Sequence, residues 1–218
     1  MPRRRISLTV DAAEIDTALA ALREELDIRE DFPAAALAEA QAAAARPLPE
    51  PGGSAPEQRP CVPVADRRDI PFVTVDPPTS MDLDQAAALE ETEDGYRLFY
   101  AIACLAFVVE PGGALDAEVH RRGTSMYGPG DVVQLHPRVL STDAASLLPG
   151  VDRLAYVWRI EIDHAGTLHD AHVEPALVRS RVKLSYDDVQ AALEGRAVLP
   201  AGTPENFPGC CRPSDRRA

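Results

Sequence analysis

Three aspartates lie within nine residues directly after an apolar run, and their spacing is the feature of this sequence best suited to chemistry. The segment 70–86 reads IPFVTVDPPTSMDLDQA, in which the aspartates are Asp76, Asp82 and Asp84. Carboxylates held this close repel one another and raise each other's proton affinity unless a cation lies between them. Carboxylate oxygens are the ligands that hard divalent cations prefer, so the sequence predicts a site for Mg²⁺ or Mn²⁺.

The residues around the aspartates indicate how they would be brought together. The apolar and β-branched residues at 70–75 predict a buried strand that ends at Asp76. The two prolines that follow cannot donate backbone hydrogen bonds to a sheet, so the chain is expected to turn and return with Asp82 and Asp84 beside Asp76.

Taken alone, a loop of this composition is more often a turn than a metal site. Asp82 and Gln85 have the spacing of a capping box before the sequence AAALEE, so the aspartates could simply begin a helix. A calcium-binding EF-hand loop is excluded, because Ala86 and Ala87 stand where that loop needs a ligand and a glycine.

Composition narrows the functional classes. The chain has 218 residues, 45% of them hydrophobic, which is enough for a substantial core. Its net charge of −13 argues against a protein that coats nucleic acid non-specifically. The four cysteines (Cys61, Cys104, Cys210 and Cys211) form no CxxC pair, which favours reduced thiols in a cytoplasmic protein. No apolar run suits a signal peptide or a membrane span, so no membrane association is expected.

Periodicity and turn residues predict an α+β fold, with an antiparallel sheet built from hairpins and short helices covering it. Residues 1–45 are expected to form a strand and helix lead-in, with the strand at 6–10, and its alanine-rich second helix is expected to pack on the later domain. Residues 46–65 include six prolines between Arg46 and Pro63 and are interpreted as a linker. The main domain is assigned to 66–195, and residues 196–218 to an irregular tail.

Two hairpins and two helices are predicted inside the main domain. The turn EDG at 93–95 joins strands at 86–92 and 96–109, and the turn HAG at 164–166 joins strands at 154–163 and 168–184. The sequence GALDAEVHRRG predicts a short helix ended by Gly123. Ser185 and Asp188 are expected to cap a final helix that Gly195 ends.

Four stretches of the sequence resemble the amino-terminal part of the catalytic RNB domain of the ribonuclease II and ribonuclease R family, and they occur in the same order as in that family. They are FVTVDPPTSMDLDQA, LFYAIACLAFVVEPGGALDAEVHRRGTSMYGPGDVVQLHPRVLS, SLLPGVDRLAYVWRIEID and LVRSRVKLSYDDVQAAL, and they cover about Asp66 to Glu194. The resemblance implies a Mg²⁺-dependent exoribonuclease that shortens single-stranded RNA from its 3′ end and releases nucleoside 5′-monophosphates. DNA is not expected as a substrate.

The resemblance also assigns roles within the acidic stretch. Asp76, Asp82 and Asp84 match the first three of four family aspartates, and Gln85 stands at the fourth position. A glutamine offers a neutral oxygen but no charge, so a second metal ion would bind more weakly here. In the implied mechanism a metal-activated water attacks the terminal phosphodiester, and Asp84 is expected to be the residue most sensitive to mutation.

RNA contacts are expected from two aromatic and two basic residues. Tyr127 and Tyr186 match motif tyrosines that face RNA near its 3′ end in similar enzymes, where an aromatic ring stacks on any base. From the sequence alone, tyrosines such as these are more often packing residues in the core or on the surface. Arg179 and Arg181 alternate along a predicted strand and are expected to meet phosphates.

Two departures from the family pattern leave alternatives open. Cys104 replaces a family aspartate and is interpreted as a small buried apolar residue. The remainder of the family's catalytic domain has no counterpart after Glu194, so a truncated or frame-shifted gene product is expected. The alternative functions are a catalytically inactive fragment that binds RNA or metal, and a structural acidic protein.

Overall fold

The computed structural model describes residues 12–53, 63–128, 131–204 and 207. The strand expected at 6–10, three of the four cysteines and most of the tail lie outside the described residues. The helices are α1 (Ala12–Glu25), α2 (Ala34–Ala44), α3 (Leu105–Val108), α4 (Ala114–Arg122) and α5 (Tyr186–Leu193), with a π-helical turn at Leu140–Ala144. The strands are β1 (Ala65–Asp66), β2 (Val73–Val75), β3 (Gln85–Thr92), β4 (Gly95–Ala103), β5 (Met126–Gly128), β6 (Asp131–Val133), β7 (Asp152–Asp163), β8 (Leu168–Arg179) and β9 (Val182–Leu184).

Seven strands form one sheet in the order β1-β8-β7-β4-β3-β2-β9, and β5 pairs with β6 separately. The centre of the large sheet is antiparallel and consists of the β3–β4 and β7–β8 hairpins. Parallel pairs occur only towards its edges, between β1 and β8 and between β2 and β9. The predicted α+β class with a hairpin-based sheet is therefore confirmed.

Turn chemistry fixes the β3–β4 hairpin. Gly95 has φ 155°, and a Cβ atom there would collide with the backbone of Ile162 on β7, so only glycine fits. β3 pairs with β4 along its whole length, which confirms the strand predicted at 86–92 and excludes the alternative helix after a capping box at Asp82 and Gln85. Pairing within the sheet outweighs the helix propensity of this alanine- and glutamate-rich segment.

Two predicted strands are shorter than the sequence suggested. The arm expected at 96–109 ends as β4 at Ala103, and the following apolar residues form the single helical turn α3. The arm expected at 168–184 is interrupted at Ser180 and Arg181, so that β8 and β9 lie at different positions in the sheet. Continuous apolar runs do not reveal such breaks, because buried strands and buried helical turns share the same composition.

The alanine-rich helix α2 packs on the later domain, as the sequence predicts. Its buried alanines lie in one core cluster with residues of α3 and α4. The carboxylate of Glu39 accepts hydrogen bonds from the backbone nitrogens of Ala114 and Leu115, both at 2.8 Å. A carboxylate at the start of a helix satisfies unpaired N–H groups and favours the helix dipole, so Glu39 fixes α2 to α4.

No helix in the described part of the chain is both long enough and apolar enough to cross a membrane.

Candidate active site at the acidic loop

Residues 76–84, here called the acidic loop, connect β2 to β3 and are tied to the sheet at both ends. The backbone N–H of Asp76 donates to the carbonyl of Leu184 on β9 at 3.0 Å. The carbonyl of Asp84 accepts a hydrogen bond from the N–H of Ala103 on β4 at 2.9 Å. The first and last aspartates therefore have fixed backbone positions on neighbouring parts of one sheet.

Ser146 anchors the middle of the loop from the other side. Its hydroxyl group donates to the carbonyl of Met81 at 2.7 Å and accepts from the N–H of Leu83 at 3.0 Å. The side chain of Leu83 is fully buried in the core beneath. Because neighbouring side chains in an extended segment point to opposite faces, burying Leu83 turns Asp82 and Asp84 outwards together.

The anchor itself is held in place by β7. The guanidinium group of Arg153 donates to the carbonyl of Ser146 at 2.9 Å. Burial lowers the pKa of Arg153, and the negative charges of Asp143 and Asp152 oppose that effect. The N–H of Leu147 also donates to the carbonyl of Leu83 at 2.9 Å, which adds a backbone link between the anchor and the acidic loop.

The three aspartates act on one another electrostatically. Burial raises the pKa of Asp84, and the charges of Asp82 and Asp76 raise it further. Burial and the charge of Asp82 raise the pKa of Asp76, whereas Lys183 opposes the increase. The hydroxyl of Ser80 donates to the carboxylate of Asp82 at 2.8 Å. The loop thus concentrates negative charge that a cation would relieve.

Among the described residues, no three His, Cys, Asp or Glu side chains form a ready-made metal-binding group. This does not conflict with Mg²⁺ chemistry, because Mg²⁺ usually keeps several water ligands and takes only one or two carboxylates with substrate phosphates. Asp82 and Asp84 are compatible with such a hydrated cation. They do not form an all-protein cage.

A cavity of about 270 Å³ opens beside these two carboxylates. Tyr127 on β5, Gln134 and His136 also line it. Tyr127 is 76% exposed, so its ring is free to meet a ligand at the cavity mouth. The structure therefore brings one of the two predicted RNA-contacting tyrosines to Asp82 and Asp84, which lie about 43 to 45 positions earlier in the chain.

The side chain of Gln85 forms a hydrogen bond with the neighbouring strand. The hydroxyl group of Tyr100 on β4 donates to its amide oxygen across the β3–β4 hairpin. The position predicted to hold a fourth ligand therefore has its oxygen engaged by a neighbouring side chain. A metal-binding role for Gln85 stays a prediction.

Tyr186 is not among the residues that line this cavity. It is the first residue of α5 and is 62% exposed. Ser185 and Asp188 form the capping box predicted from the sequence, with reciprocal hydrogen bonds of 3.1 Å. Since Leu184 binds the backbone of Asp76, Tyr186 follows two residues after that contact, outside the lining of the cavity.

The two predicted phosphate-binding arginines make structural contacts. Arg179 donates to the carboxylate of Asp152 at 2.6 Å. Arg181 donates to the backbone carbonyls of Arg68 and Asp69 at 2.9 and 3.2 Å. It also lies at the far end of β9 from Asp76, roughly 10 Å along the strand. These contacts account for both side chains, and RNA binding by either one stays a prediction.

The local sequence does not single out Ser146, Gln134, His136 or Lys183. Ser146 acts on residues 63 positions away in the chain, so its role leaves no local signal. Burial lowers the pKa of His136, which makes it a neutral imidazole at the cavity wall near pH 7. Cys104 is buried and forms no disulfide bond within the described part of the chain, in agreement with its interpretation as a small apolar residue.

The acidic loop lies within the part of the chain that matches a known protein family. The model of the RNB domain matches residues 64–203, which is more than half of the chain. The chain belongs to the RNB-domain family. Ribonuclease R of Vibrio parahaemolyticus is 41% identical over 131 residues, which are 60% of this chain and 16% of that protein.

A solved structure and a further relative show how much of each related protein this chain spans. Mycoplasma genitalium RNase R, in complex with ribose methylated single-stranded RNA, matches with a TM-score of 0.72 and 30% identity, over 84% of this chain and 27% of that one. A protein named "Inactive exonuclease DIS3L2" from Arabidopsis thaliana is 35% identical over 133 residues, which are 61% of this chain and 13% of that protein. This RNB chain therefore spans less than a third of each of these relatives, and they differ in whether they are named as active.

Proposed function

We propose that this RNB chain carries the metal-binding loop of a Mg²⁺-dependent 3′-to-5′ exoribonuclease that hydrolyses single-stranded RNA to nucleoside 5′-monophosphates. The observation that carries the proposal is the shared cavity of Asp82, Asp84 and Tyr127. Carboxylates suit a divalent cation, and an exposed aromatic ring beside them suits an unpaired base. The Ribonuclease R relatives support the reaction class, and the RNA-bound Mycoplasma structure supports RNA as the ligand.

Each side chain has a defined part in this proposal. Asp82 and Asp84 would hold the cation, with Asp76 contributing negative charge from the end of β2. A bound Mg²⁺, or Mn²⁺ in its place, would supply Lewis-acid activation of water and would neutralise charge on the phosphate. Tyr127 would stack on a base without reading its identity, and Tyr186 would contact the RNA from the α5 side.

The raised pKa values of Asp76 and Asp84 couple cation binding to proton release. Burial, and then repulsion among the three carboxylates, favours protonation in the absence of a cation, so a ligand that needs the ionised forms must displace those protons. Affinity for the cation should therefore increase with pH until both groups are ionised.

The second candidate function is a catalytically inactive fragment that binds RNA or metal. It is favoured by Gln85, which lacks the charge of the family aspartate and has its oxygen engaged by Tyr100. The inactive Arabidopsis relative shows that this family includes proteins named as inactive. The cysteine spacing remains the basis for proposing a cytoplasmic location.

The purified chain should be incubated with 5′-labelled single-stranded RNA and Mg²⁺, with single-stranded DNA of the same sequence as a control. A ladder of shortened RNA that Asp84→Asn abolishes is expected for the exoribonuclease. RNA binding without shortening supports the inactive fragment. A chain that binds neither RNA nor divalent cations refutes both functions.

A further inference from the structure

We propose that Lys183 is a positioning residue that holds the acidic loop in the shape needed to bind a cation. Of the 22 Lys and Arg residues in the chain, Lys183 is the only lysine. The inference rests on the proposed function, since it assigns the loop a cation. It concerns the shape of the loop, and it gives Lys183 no contact with RNA or with the reacting atoms.

The contacts of Lys183 join two points of one turn. Its ammonium group donates to the carbonyl of Pro78 at 3.0 Å and to the carbonyl of Ser80 at 2.5 Å. The turn is closed by a further bond from the N–H of Ser80 to the carbonyl of Pro77 at 3.0 Å. Lys183 thus fixes the position of the segment between Asp76 and the other two aspartates.

The sequence of the turn explains why it needs an outside donor. Pro77 and Pro78 have no backbone N–H, so this part of the loop cannot form the regular hydrogen bonds that would fix its shape. A lysine ammonium group carries three N–H donors. Two of them donate to the two carbonyl oxygens of this turn. Lys183 reaches the turn from β9, where it is in register with Thr74 on β2.

A lysine suits this task better than an arginine. The guanidinium group is a planar fork that matches a carboxylate or a phosphate, whereas an ammonium group can donate to acceptors arranged around one point. Arg181, two residues earlier, also binds two backbone carbonyls, but those belong to Arg68 and Asp69 at the other end of β9.

Because Lys183 is positively charged, a positioning role and a purely electrostatic role predict opposite changes in cation affinity when Lys183 is replaced. Lys183 acts electrostatically on Asp76, so its positive charge opposes a cation bound at the loop. If charge were its only role, replacing Lys183 with a neutral residue would strengthen cation binding. If Lys183 positions the loop, the same replacement weakens cation binding even though a repulsive charge has been removed.

The test uses the full chain without RNA and compares Lys183→Met, Lys183→Arg and the control Arg97→Met. Arg97 pairs with Glu161 and Glu90 on the sheet and lies five residues along β4 from the partner of Gln85, so its loss removes a charge far from the loop. Mn²⁺ affinity is measured by titration calorimetry, and amide hydrogen exchange is measured for residues 76–84. Circular dichroism confirms that each variant is folded.

Both Lys183 variants should raise the Kd for Mn²⁺ by about three- to tenfold, as expected for lost hydrogen bonds to a charged donor. Both should also accelerate exchange in the acidic loop, whereas Arg97→Met should change neither quantity. An unchanged or lower Kd in Lys183→Met, with exchange as in the wild type, would overturn the proposal. Lys183→Arg, which keeps the charge, decides the question if Lys183→Met does not fold.

The same data separate this inference from the proposed function. A wild-type chain that binds Mn²⁺ but does not shorten RNA leaves the positioning role intact and counts against catalysis. A wild-type chain that binds no Mn²⁺ counts against the metal site and against a role for Lys183 in serving it.

Discussion

Replacing Ser146 with alanine should destabilise the protein and loosen the acidic loop together. The hydroxyl is 1% exposed and makes two hydrogen bonds, to the carbonyl of Met81 at 2.7 Å and from the N–H of Leu83 at 3.0 Å. Losing a hydrogen bond costs about 1 kcal/mol where water can replace the partner, as at the exposed Met81, and about 1–3 kcal/mol where a buried group such as the N–H of Leu83 is left unpaired. The free energy of unfolding should therefore fall by about 2–4 kcal/mol.

Ser180→Ala provides a matched control for this change. Ser180 is 2% exposed, but its hydroxyl makes one long bond of 3.4 Å, to the carbonyl of Val182. We expect a loss below about 1 kcal/mol, because so little hydrogen bonding disappears. Urea unfolding at pH 7 measures both variants, and Mn²⁺ titration measures whether the loop is affected. Equal losses in the two variants, or unchanged Mn²⁺ affinity in Ser146→Ala, would refute the anchoring role.

Three further predictions concern α4, the loop and the cavity. The pKa of Glu118 is lowered to about 2, chiefly by a hydrogen bond from Arg121, so this group stabilises the protein above its unfolded pKa near 4.5. Stability should decline as pH falls from about 4.5 to 2, and Glu118→Gln should remove about 2 kcal/mol at pH 7 in a urea unfolding experiment. Asp84→Asn should abolish RNA shortening and raise the thermal midpoint of the metal-free protein slightly, because the raised pKa means that ionised Asp84 destabilises the fold at pH 7. A lowered midpoint in calorimetry would contradict that sign. Tyr127→Ala should weaken binding of single-stranded RNA by about 1–3 kcal/mol in fluorescence anisotropy, whereas Tyr127→Phe should bind almost as tightly, since stacking needs only the ring.

The sequence was most informative where structure depends on neighbouring residues. The Asp76 turn, the hairpins at Gly95 and Gly166 and the capping box at Ser185 were all predicted, because turn and cap residues act on their own backbone. The class of fold followed from these elements. The acidic loop was predicted for the same reason, since its strand, its prolines and its carboxylates are contiguous.

Contacts between distant segments could not be predicted in this way. Lys183 binds carbonyls that lie 103 and 105 residues earlier, and Ser146 binds a loop 63 residues before it. Arg179 shows the same limit. Its alternation on a strand predicts a phosphate contact, and nothing in the local sequence indicates that its side chain also pairs with Asp152 on the neighbouring strand. Pairing of strands decides such partners, and one sequence read alone does not state the pairing.

A titration of Mn²⁺ into the folded chain tests the central claim most directly, with hydrogen exchange followed in the acidic loop. We expect the wild type to bind Mn²⁺ and to slow exchange at residues 76–84. Asp84→Asn should bind at least tenfold more weakly, since it loses a charged ligand. Asp94→Asn, in the exposed turn of the β3–β4 hairpin, should bind as the wild type does. A wild-type chain with no binding heat and no protection of the loop, or an Asp84→Asn variant with unchanged affinity, would contradict the claim that these aspartates form a cation site.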